Sequence, residues 1–515
     1  MENVAAGLQI LAAKGLLDMT AKTRNVPPRA NSMLESLRGL GYSPGGALAD
    51  IIDNSISAGA SEVRLDFVWA ASNTHITVLD DGRGMDDQEL ESALTLGDKN
   101  PLDVRAAHDL GRFGMGLKTA SFSQCKRLTV ASKKDGVVSC LRWDLEILAA
   151  NPASGWLLFE GPAEGSQLSL DTLTLKTKGT LVVWEVLDRI VTDGFTADDF
   201  IELSFHIEAH LAMVFHRLLQ GPHARLRILI NGKVVIPWDP FMTGHPAKSW
   251  TSPIARHTTS YGVVEVQCHV LPHRDKLKPD EVSSAGGPEG WTAQQGFYVY
   301  RNERLLVAGG WLGLGNARAW NKEEPHRLAR IRLDIPNSAD ADWKIDVKKS
   351  TARPPVTLRP WLTRLAENTR ERARQVFAHR GTPTPAPNGT AVDQAWVVDR
   401  IASGMRYRIA DTHPSVRAVL DSAGPNAPLV KAMLRVIEET VPVQRIWLDT
   451  AEHKETPRTG FTGEAPEAVM AVLRTLFQDM IGRKGMSVEA ARRALLSTEP
   501  FQNFPAQIET LKAVP

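Results

Sequence analysis

Cysteine is scarce in this chain of 515 residues, and the three that occur, Cys125, Cys140 and Cys268, lie far apart. None of them belongs to a C-x-x-C pair, so the sequence has neither a disulfide framework nor the spacing of a zinc site. A few isolated thiols are typical of proteins in the reducing cytosol. We therefore expect a cytoplasmic protein.

Long apolar runs and an excess of one charge are also missing. No stretch of about 18 apolar residues occurs, so we expect no membrane-spanning helix and no membrane partner. The N-terminal stretch LQILAAKGLL contains Lys14 and follows no basic segment, which argues against a signal peptide. The net charge is +1, so no overall positive field favours nucleic acid, and only a local basic groove would do so.

The segment 47–60, ALADIIDNSISAGA, has the pattern of an amphipathic helix. Ser43 is a suitable N-cap residue and Pro44 a suitable first residue, so we predict a helix over about residues 45–58. The residues of its apolar stripe, which should face the core, are Leu48, Ile51, Ile52 and Ile56.

The opposite side of this helix is polar and carries Asp50 and Asn54 one turn apart, with Asp53 and Ser57 beside them. A carboxylate and a carboxamide at this spacing suit a hydrolytic site, because the first can deprotonate a water and the second can give a carbonyl oxygen to Mg²⁺. The same pattern also fits a surface helix with a solvated polar side.

The segment 78–86, VLDDGRGMD, follows two strand-like runs within 62–79. Alternation along the second run directs the Asp80 side chain inward, where a carboxylate needs a hydrogen-bond donor. The exocyclic amine of adenine is one candidate donor, and Gly82 and Gly84 would allow a flat base to approach the backbone. A hairpin turn at Asp-Gly is the alternative interpretation.

The segment 111–121, GRFGMGLKTAS, is a glycine-rich loop that leads into the start of a helix. Backbone N–H groups of such a loop and the positive end of the helix form a cradle for phosphate, and Lys118 adds a positive charge. Alone, the loop identifies no ligand, and it fits neither the Walker A pattern nor a dinucleotide-binding turn. Its residues are Gly111, Arg112, Phe113, Gly114, Met115 and Gly116.

In this order, the three segments resemble the motifs of the GHKL ATPases, which include DNA gyrase, the ninety-kilodalton heat-shock chaperones, histidine kinases and MutL. GRFGMGLK and the following TAS are most similar to the MORC and MutL-like branches. The resemblance implies an α/β fold, the two-layer GHKL (Bergerat) ATP-binding sandwich, with ATP and Mg²⁺ as cofactors.

By this resemblance Asp50 is the general base, Asn54 the magnesium ligand and Asp80 the carboxylate that binds adenine. Gly179-Thr180, within KGTLVVWEVL, matches the fourth motif of the family, whose threonine supports the adenine end. The other nucleotide-binding residues that the resemblance implies are Gly82, Gly84, Met85, the loop from Gly111 to Gly116, and Lys118.

The general base is usually glutamate in this superfamily, whereas the matching residue here is Asp50, which is one methylene shorter. Three explanations stay open: the helix lies closer to the γ-phosphate, a second water intervenes, or hydrolysis is very slow. The resemblance therefore implies an Mg-dependent ATPase with slow turnover.

A chain of this length exceeds a single hydrophobic core, so we expect several domains. The predicted parts are an N-terminal helix or strap (1–30), the ATPase domain (31–205) with a lid at about 92–110, a transducer-like α/β domain (206–360), a helix and Pro-rich linker (361–392), and a mainly helical C-terminal domain (393–515). Within 206–360, hairpins should turn at Asn231-Gly232 and near Asn302.

In the family, a lysine on a loop of the transducer domain reaches the γ-phosphate. Lys349, which follows a strand-like run in DWKIDVKKSTARPP, is the candidate for this second catalytic residue, and Lys348 is the next choice. Two adjacent lysines at the end of a strand also fit a solvent-exposed position without a catalytic role.

The resemblance implies a homodimer that forms when ATP binds, and three functions are compatible with it. The first is a clamp on nucleic acid such as DNA, as in MutL and MORC proteins, within a bacterial antiviral defence operon whose partner proteins supply nuclease or helicase activity. The second is a chaperone-like remodeller of proteins. The third is a nucleotide sensor that does not hydrolyse ATP.

Overall fold

The structure is a computed structural model. The parts of the chain that it describes are residues 24, 26, 28–98, 116–151, 155–222, 224–339, 342–346, 349, 351–379, 393–401, 404–446, 467–498 and 501–512. The predicted linker at 381–390, most of the predicted lid and nearly all of the predicted N-terminal strap lie outside the described residues.

The helices and strands are numbered in chain order. The α-helices are α1 (Ala30–Arg38), α2 (Pro44–Ser57), α3 (Asp87–Leu94), α4 (Gly116–Phe122), α5 (Leu145–Ala150), α6 (Gln167–Thr174), α7 (Ala197–Val214), α8 (His216–Leu219), α9 (Pro279–Ala285), α10 (Arg359–His379), α11 (Pro414–Ser422), α12 (Ala427–Glu439), α13 (Glu467–Gly482), α14 (Val488–Leu496) and α15 (Pro505–Glu509). The strands are β1 (Glu62–Val68), β2 (His75–Asp80), β3 (Arg127–Lys134), β4 (Val137–Asp144), β5 (Phe159–Glu160), β6 (Gly179–Glu185), β7 (Arg227–Ile230), β8 (Lys233–Val234), β9 (Trp250–Thr251), β10 (Ala255–Thr259), β11 (Gly262–Val270), β12 (Gly296–Arg301), β13 (Arg304–Ala308), β14 (Ala329–Ile335), β15 (Trp396–Ile401) and β16 (Gly404–Ile409).

The first sheet contains β1 to β8 in the order β5-β4-β3-β6-β2-β1-β7-β8. Helix α2 packs on one face of it, because Ile51 and Ile52 are buried in the same core as Val63 and Val78 of the strands. Helix α6 packs on the opposite face, against Leu79 and its neighbours. The predicted α/β sandwich is therefore confirmed.

Helix α2 begins and ends close to the predicted residues. Pro44 is its first residue, and the Ser43 side chain accepts a hydrogen bond from the Gly46 N–H at 3.1 Å. This cap satisfies one of the N–H groups that the first turn leaves without a helical partner. The helix, and with it the direction of its polar side, is thus determined locally.

Both predicted hairpins form at the expected residues. The turn between β7 and β8 is Asn231-Gly232, and the turn between β12 and β13 is Asn302-Glu303. All four residues have positive φ, as a type I′ hairpin turn requires. The first hairpin nevertheless belongs to the first sheet, because β7 pairs in parallel with β1 and buries Ile228 in that core. The sheet therefore continues past the boundary expected at residue 205.

The second sheet has the order β10-β11-β14-β12-β13, and β9 pairs with β11. Helix α10 covers one of its faces through residues such as Leu362 and Ala366. The other face contacts α8, since the Tyr300 hydroxyl lies 2.7 Å from His216 Nε2. Arg217 and Asp334 form an ion pair across the same contact.

Residues 342–346, the described part of the segment before Lys349, do not form a strand, contrary to the sequence interpretation. Residues 342–344 form a turn, and the alternating pattern arises because Trp343 and Ile345 both enter the core of the second sheet. The Arg353 N–H also donates a hydrogen bond to the Trp343 carbonyl oxygen at 2.7 Å. These contacts hold the segment that carries Lys349 against the second sheet.

The described residues after 392 are mainly helical, as expected, but they begin with the unpredicted hairpin of β15 and β16. Helix α12 lies against this hairpin, where the Ile409 N–H donates to Glu438. Helices α13, α14 and α15 share a separate core around Phe477 and Leu495. Among the helices described, none combines the length and the hydropathy that crossing a membrane requires.

Candidate functional site

Asp80 is a buried hydrogen-bond acceptor at the end of β2. Its Oδ2 accepts from the Ser55 hydroxyl at 2.7 Å, and its Oδ1 accepts from the N–H groups of Gly82 at 2.9 Å and Thr180 at 3.1 Å. Burial raises the pKa of Asp80 above its ordinary value, against the effect of these donors. A carboxylate accepts about four hydrogen bonds, so Asp80 retains capacity for a ligand donor such as the adenine amine.

The glycines near Asp80 are required by protein packing. Gly84 has a φ of +73°, and a Cβ there would lie 2.0 Å from the Lys133 carbonyl oxygen. Gly179 has a φ of +138°, and its Cβ would lie 2.1 Å from the Asp80 carbonyl oxygen. Gly82 is less restricted, with the nearest atoms 3.0 Å away. Close approach of backbone to backbone therefore explains Gly84 and Gly179 before any ligand is considered.

Ser132, which the sequence analysis did not identify, joins the segment 78–86 to Gly179-Thr180. Its hydroxyl accepts from the Met85 N–H at 2.8 Å and lies 2.9 Å from the Thr180 hydroxyl. It also donates to the Gly179 carbonyl oxygen at 3.2 Å. Met85 and Thr180 are thus brought together beside Asp80, although only the family resemblance connected them in the sequence.

Asp50 is buried, with 3% of its surface exposed, and its carboxylate accepts hydrogen bonds from a residue eight positions earlier and from one 299 positions later. The Tyr42 hydroxyl donates to Oδ2 at 2.9 Å, and the Lys349 ammonium donates to Oδ1 at 2.9 Å. Burial and the Asp50 charge raise the pKa of Tyr42, so Tyr42 stays a hydroxyl donor. Asn54, one turn further along α2, is exposed.

Asp53 is a second buried carboxylate on the same side of α2, with 1% of its surface exposed. Its Oδ2 accepts from Lys349 at 2.5 Å, and both its oxygens lie within 3.3 Å of Arg304 Nε. Burial would raise the pKa of Asp53, but Arg304 and Lys349 outweigh burial and hold it below its ordinary value. The position of Asp53 beside Asp50 was visible in the sequence, whereas Tyr42 and Arg304 gave no signal.

The first turn of α4 lies next to Asp50. A Cβ on Gly116 would be 3.8 Å from Asp50 Oδ2. The positive end of a helix beside a carboxylate that faces it is a suitable place for the terminal phosphate of a nucleotide and an attacking water. Gly111, Arg112, Phe113, Gly114 and Met115, the rest of the predicted phosphate loop, lie outside the described residues.

Lys118 extends from α4 toward the end of α3. Its ammonium donates to the carbonyl oxygens of Ala93 at 2.9 Å and Thr95 at 2.8 Å, and only 1% of the residue is exposed. A lysine at this place satisfies carbonyl groups that the last turn of α3 leaves without helical partners. Its predicted contact with phosphate stays a prediction.

The donor atoms present fit a magnesium ion bound together with a nucleotide. Within the described residues, no group of three His, Cys, Asp or Glu side chains could hold a metal ion. Mg²⁺ in nucleotide sites is usually held by one or two protein oxygens, phosphate oxygens and water, so a dedicated cage is not needed. The exposed carboxamide of Asn54 can supply the protein oxygen.

Comparison with known proteins agrees with this geometry. The sequence model of the family described as "Histidine kinase-, DNA gyrase B-, and HSP90-like ATPase" matches residues 42–180, which include Asp50, Asp80 and Thr180. The "ATPase morc-1" of Caenorhabditis elegans is 32% identical over 98 residues, which are 19% of this chain and 11% of that protein. This chain therefore spans about a tenth of that relative. Residues 42–180 are therefore similar to the ATP-binding domain of the GHKL ATPases, and 98 residues of the chain are similar to a MORC protein.

Proposed function

We propose that the chain binds ATP with Mg²⁺ at this site and hydrolyses it slowly. The observation that carries the proposal is the position of Asp50. This buried carboxylate lies beside the first turn of α4 and in contact with Lys349, which comes from 299 residues further along the chain. One site thus combines a base, a helix N-terminus and a cation for a phosphate group.

In the proposed complex, Asp80 accepts the adenine amine, and the N-terminus of α4 with its preceding loop holds the phosphates. Magnesium bound to Asn54 and phosphate oxygens would neutralise phosphate charge. Asp50 takes a proton from a water that attacks the γ-phosphorus, and the bond from that phosphorus to the oxygen of the leaving ADP breaks. The Lys349 ammonium moves to the γ-phosphate and stabilises its negative charge.

The hydrogen bonds that Asp50 already accepts support slow turnover. Tyr42 and Lys349 each donate to one of its oxygens, so a water that Asp50 is to deprotonate must approach a carboxylate that already has two donors. Because the Asp50 side chain is one methylene shorter than glutamate, it has less freedom to turn its carboxylate away from Tyr42 and Lys349. The same observation favours a second candidate, a sensor that binds ATP without hydrolysing it.

We further propose that ATP binding produces a homodimer that acts as a clamp on DNA, in a MORC-like role. One support is the similarity of 98 residues of the chain to a MORC protein. Another is local charge: exposed arginines concentrate at α10 although the net charge of the chain is only +1. These arginines are Arg353, Arg359, Arg364, Arg372 and Arg374.

Action in antiviral defence together with nuclease or helicase proteins is part of the same proposal, as is a cytoplasmic location. All three cysteines are free thiols, which suits a reducing compartment. The DNA and partner steps depend on ATP binding, so nucleotide binding is tested first.

Titration calorimetry of the full chain with ATP and Mg²⁺ tests the proposal, followed by phosphate release at saturating ATP. The expected result is binding that chelation of Mg²⁺ weakens, with slow release of phosphate. Binding without phosphate release would favour the sensor. Absence of binding would refute both functions.

A further inference from the structure

Two buried carboxylates of α2 meet two cations from the second half of the chain. Asp50 and Asp53 are 3% and 1% exposed, and Arg304 is 4% exposed. The Lys349 side chain, at 11%, is the most accessible of the four. Two negative and two positive charges balance, as buried charges generally must.

The two cations are held differently. Arg304 lies at the start of β13, its Nη1 donates to the Leu305 carbonyl oxygen at 2.6 Å, and its guanidinium lies 5.9 Å from the centre of the Phe215 ring. Its Nε faces both oxygens of Asp53 at 3.2 and 3.3 Å, while its nearest approach to Asp50 is 3.7 Å. Arg304 is therefore a fixed partner of Asp53.

Lys349, in contrast, divides its ammonium between the two carboxylates, at 2.9 Å from Asp50 and 2.5 Å from Asp53. If this ammonium moves to a γ-phosphate, Asp53 loses its nearest cation. A buried carboxylate without a cation is strongly destabilised. Arg304, the cation that stays in hydrogen-bond contact with Asp53, would compensate it after that movement, with a weaker contribution from Arg301.

We propose that Arg304 is a positioning residue of the nucleotide site: it compensates the Asp53 charge and so releases Lys349 from the aspartates to the γ-phosphate. This inference rests on the proposed ATP binding and hydrolysis. Without Arg304, Asp53 retains Lys349, and the site loses its means of distinguishing a triphosphate from a diphosphate. The residue acts through Asp53 and Lys349 and does not itself contact the nucleotide.

The test compares the affinities of ADP and a non-hydrolysable ATP analogue in the full chain by calorimetry. Arg304→Gln should weaken analogue binding about 10- to 100-fold, the effect of losing one charge-assisted hydrogen bond, and leave ADP binding within about twofold. Arg304→Gln should lower kcat for ATP as well.

Arg304→Lys keeps the charge and should retain most of the preference for the analogue. The double variant Asp53→Asn/Arg304→Gln should restore the preference for the analogue, because the Asp53 charge that Arg304 compensates is then absent as well.

Arg217→Gln is the matched control. It removes a different arginine, which joins α8 to the second sheet through its ion pair with Asp334. It should leave both affinities unchanged. Equal weakening of ADP and analogue by Arg304→Gln, or no change in either, would overturn the inference. If Arg304→Gln does not fold, as judged by circular dichroism, loss of the analogue preference in the double variant would overturn it. A wild-type chain that binds neither nucleotide would instead refute the proposed function.

Discussion

The Ser55 hydroxyl donates to Asp80 Oδ2 at 2.7 Å and thereby joins the last turn of α2 to the end of β2. The carboxylate proposed to accept adenine and the helix that carries Asp50 are thus joined by a hydrogen bond. A movement of the Asp80 side chain would therefore act directly on the helix that carries Asp50, through this hydrogen bond.

Asp80→Asn should weaken ATP binding about 30- to 150-fold, which corresponds to about 2–3 kcal/mol. When the amide oxygen keeps the N–H groups of Gly82 and Thr180, the substitution places an N–H₂ group where Oδ2 accepts from Ser55, so the side chain loses the acceptor that an adenine amine would use. Calorimetry measures the effect. The neighbouring Asp81→Asn is the control, because Asp81 accepts from Ser61 and Glu62 at the surface. Unchanged affinity in Asp80→Asn would remove Asp80 from the site.

Asp50→Asn should preserve ATP and Mg²⁺ binding but lower turnover about 100- to 10,000-fold, because the amide cannot take a proton from water. Single-turnover phosphate release separates this effect from binding. Asp50→Glu distinguishes the explanations of the shorter side chain. A faster Asp50→Glu enzyme would indicate that reach limits the wild type, whereas a slower one would indicate that Tyr42 and Lys349 leave no room for the extra methylene. Wild-type turnover in Asp50→Asn would show that the base lies elsewhere.

Addition of Mg-ATP or a non-hydrolysable analogue should produce dimers through the ATPase domain. Small-angle scattering with and without nucleotide measures the change in mass and radius. Asp80→Asn at the same nucleotide concentration is the control, since it should stay in the state without nucleotide. Identical profiles in the presence and absence of nucleotide would count against the clamp and for the sensor.

Replacing the exposed arginines Arg364, Arg372 and Arg374 of α10 by alanine should weaken DNA binding and flatten its dependence on salt. Each lost phosphate contact lowers the slope of log K against log salt by roughly one. Mobility shifts with a non-hydrolysable ATP analogue over a salt series measure this. A matched triple variant at exposed arginines elsewhere, Arg64, Arg225 and Arg256, carries the same charge change. Equal loss in both variants would place DNA away from α10.

Mild acid should destabilise the fold because buried histidines must stay neutral. Burial lowers the pKa of His216 to about 4, and burial, reinforced by Arg304, lowers that of His210 to about 4. Unfolded histidines bind protons below about pH 6.5, so the stabilisation is complete above that pH and is lost as the pH falls toward 4. Urea unfolding from pH 7 to pH 5 should show the decline, up to about 1.4 kcal/mol per pH unit for each histidine. His216→Gln should reduce the slope, and the exposed His206→Gln should not.

The sequence predicts those parts of the site that are encoded locally. Helix α2, its cap at Ser43 and the inward direction of Asp80 follow from periodicity and capping, which involve neighbours along the chain. Thr180 was identified through the motif resemblance alone. Each of these positions depends on a short segment that determines its own conformation.

The charge cluster could not be predicted in the same way. Arg304 lies 251 residues from Asp53, and nothing in its own segment distinguishes it from other arginines of a strand. The carbonyl partners of Lys118 depend on how α3 ends beside α4, which is also a tertiary property. Lys349 was selected through family resemblance. The interpretation of residues 342–346 as part of a strand was wrong, because Trp343 and Ile345 are buried without strand pairing.

The pairing of β7 with β1 decides where an isolated ATPase fragment can end. β1 is an interior strand only while residues 227–230 are present. A fragment that stops at residue 205, or at residue 180 where the family match ends, would convert β1 into an open edge next to the apolar core around Val63 and Leu65. Open edges of this kind recruit other chains and aggregate. A soluble fragment must therefore include the whole hairpin through Val234.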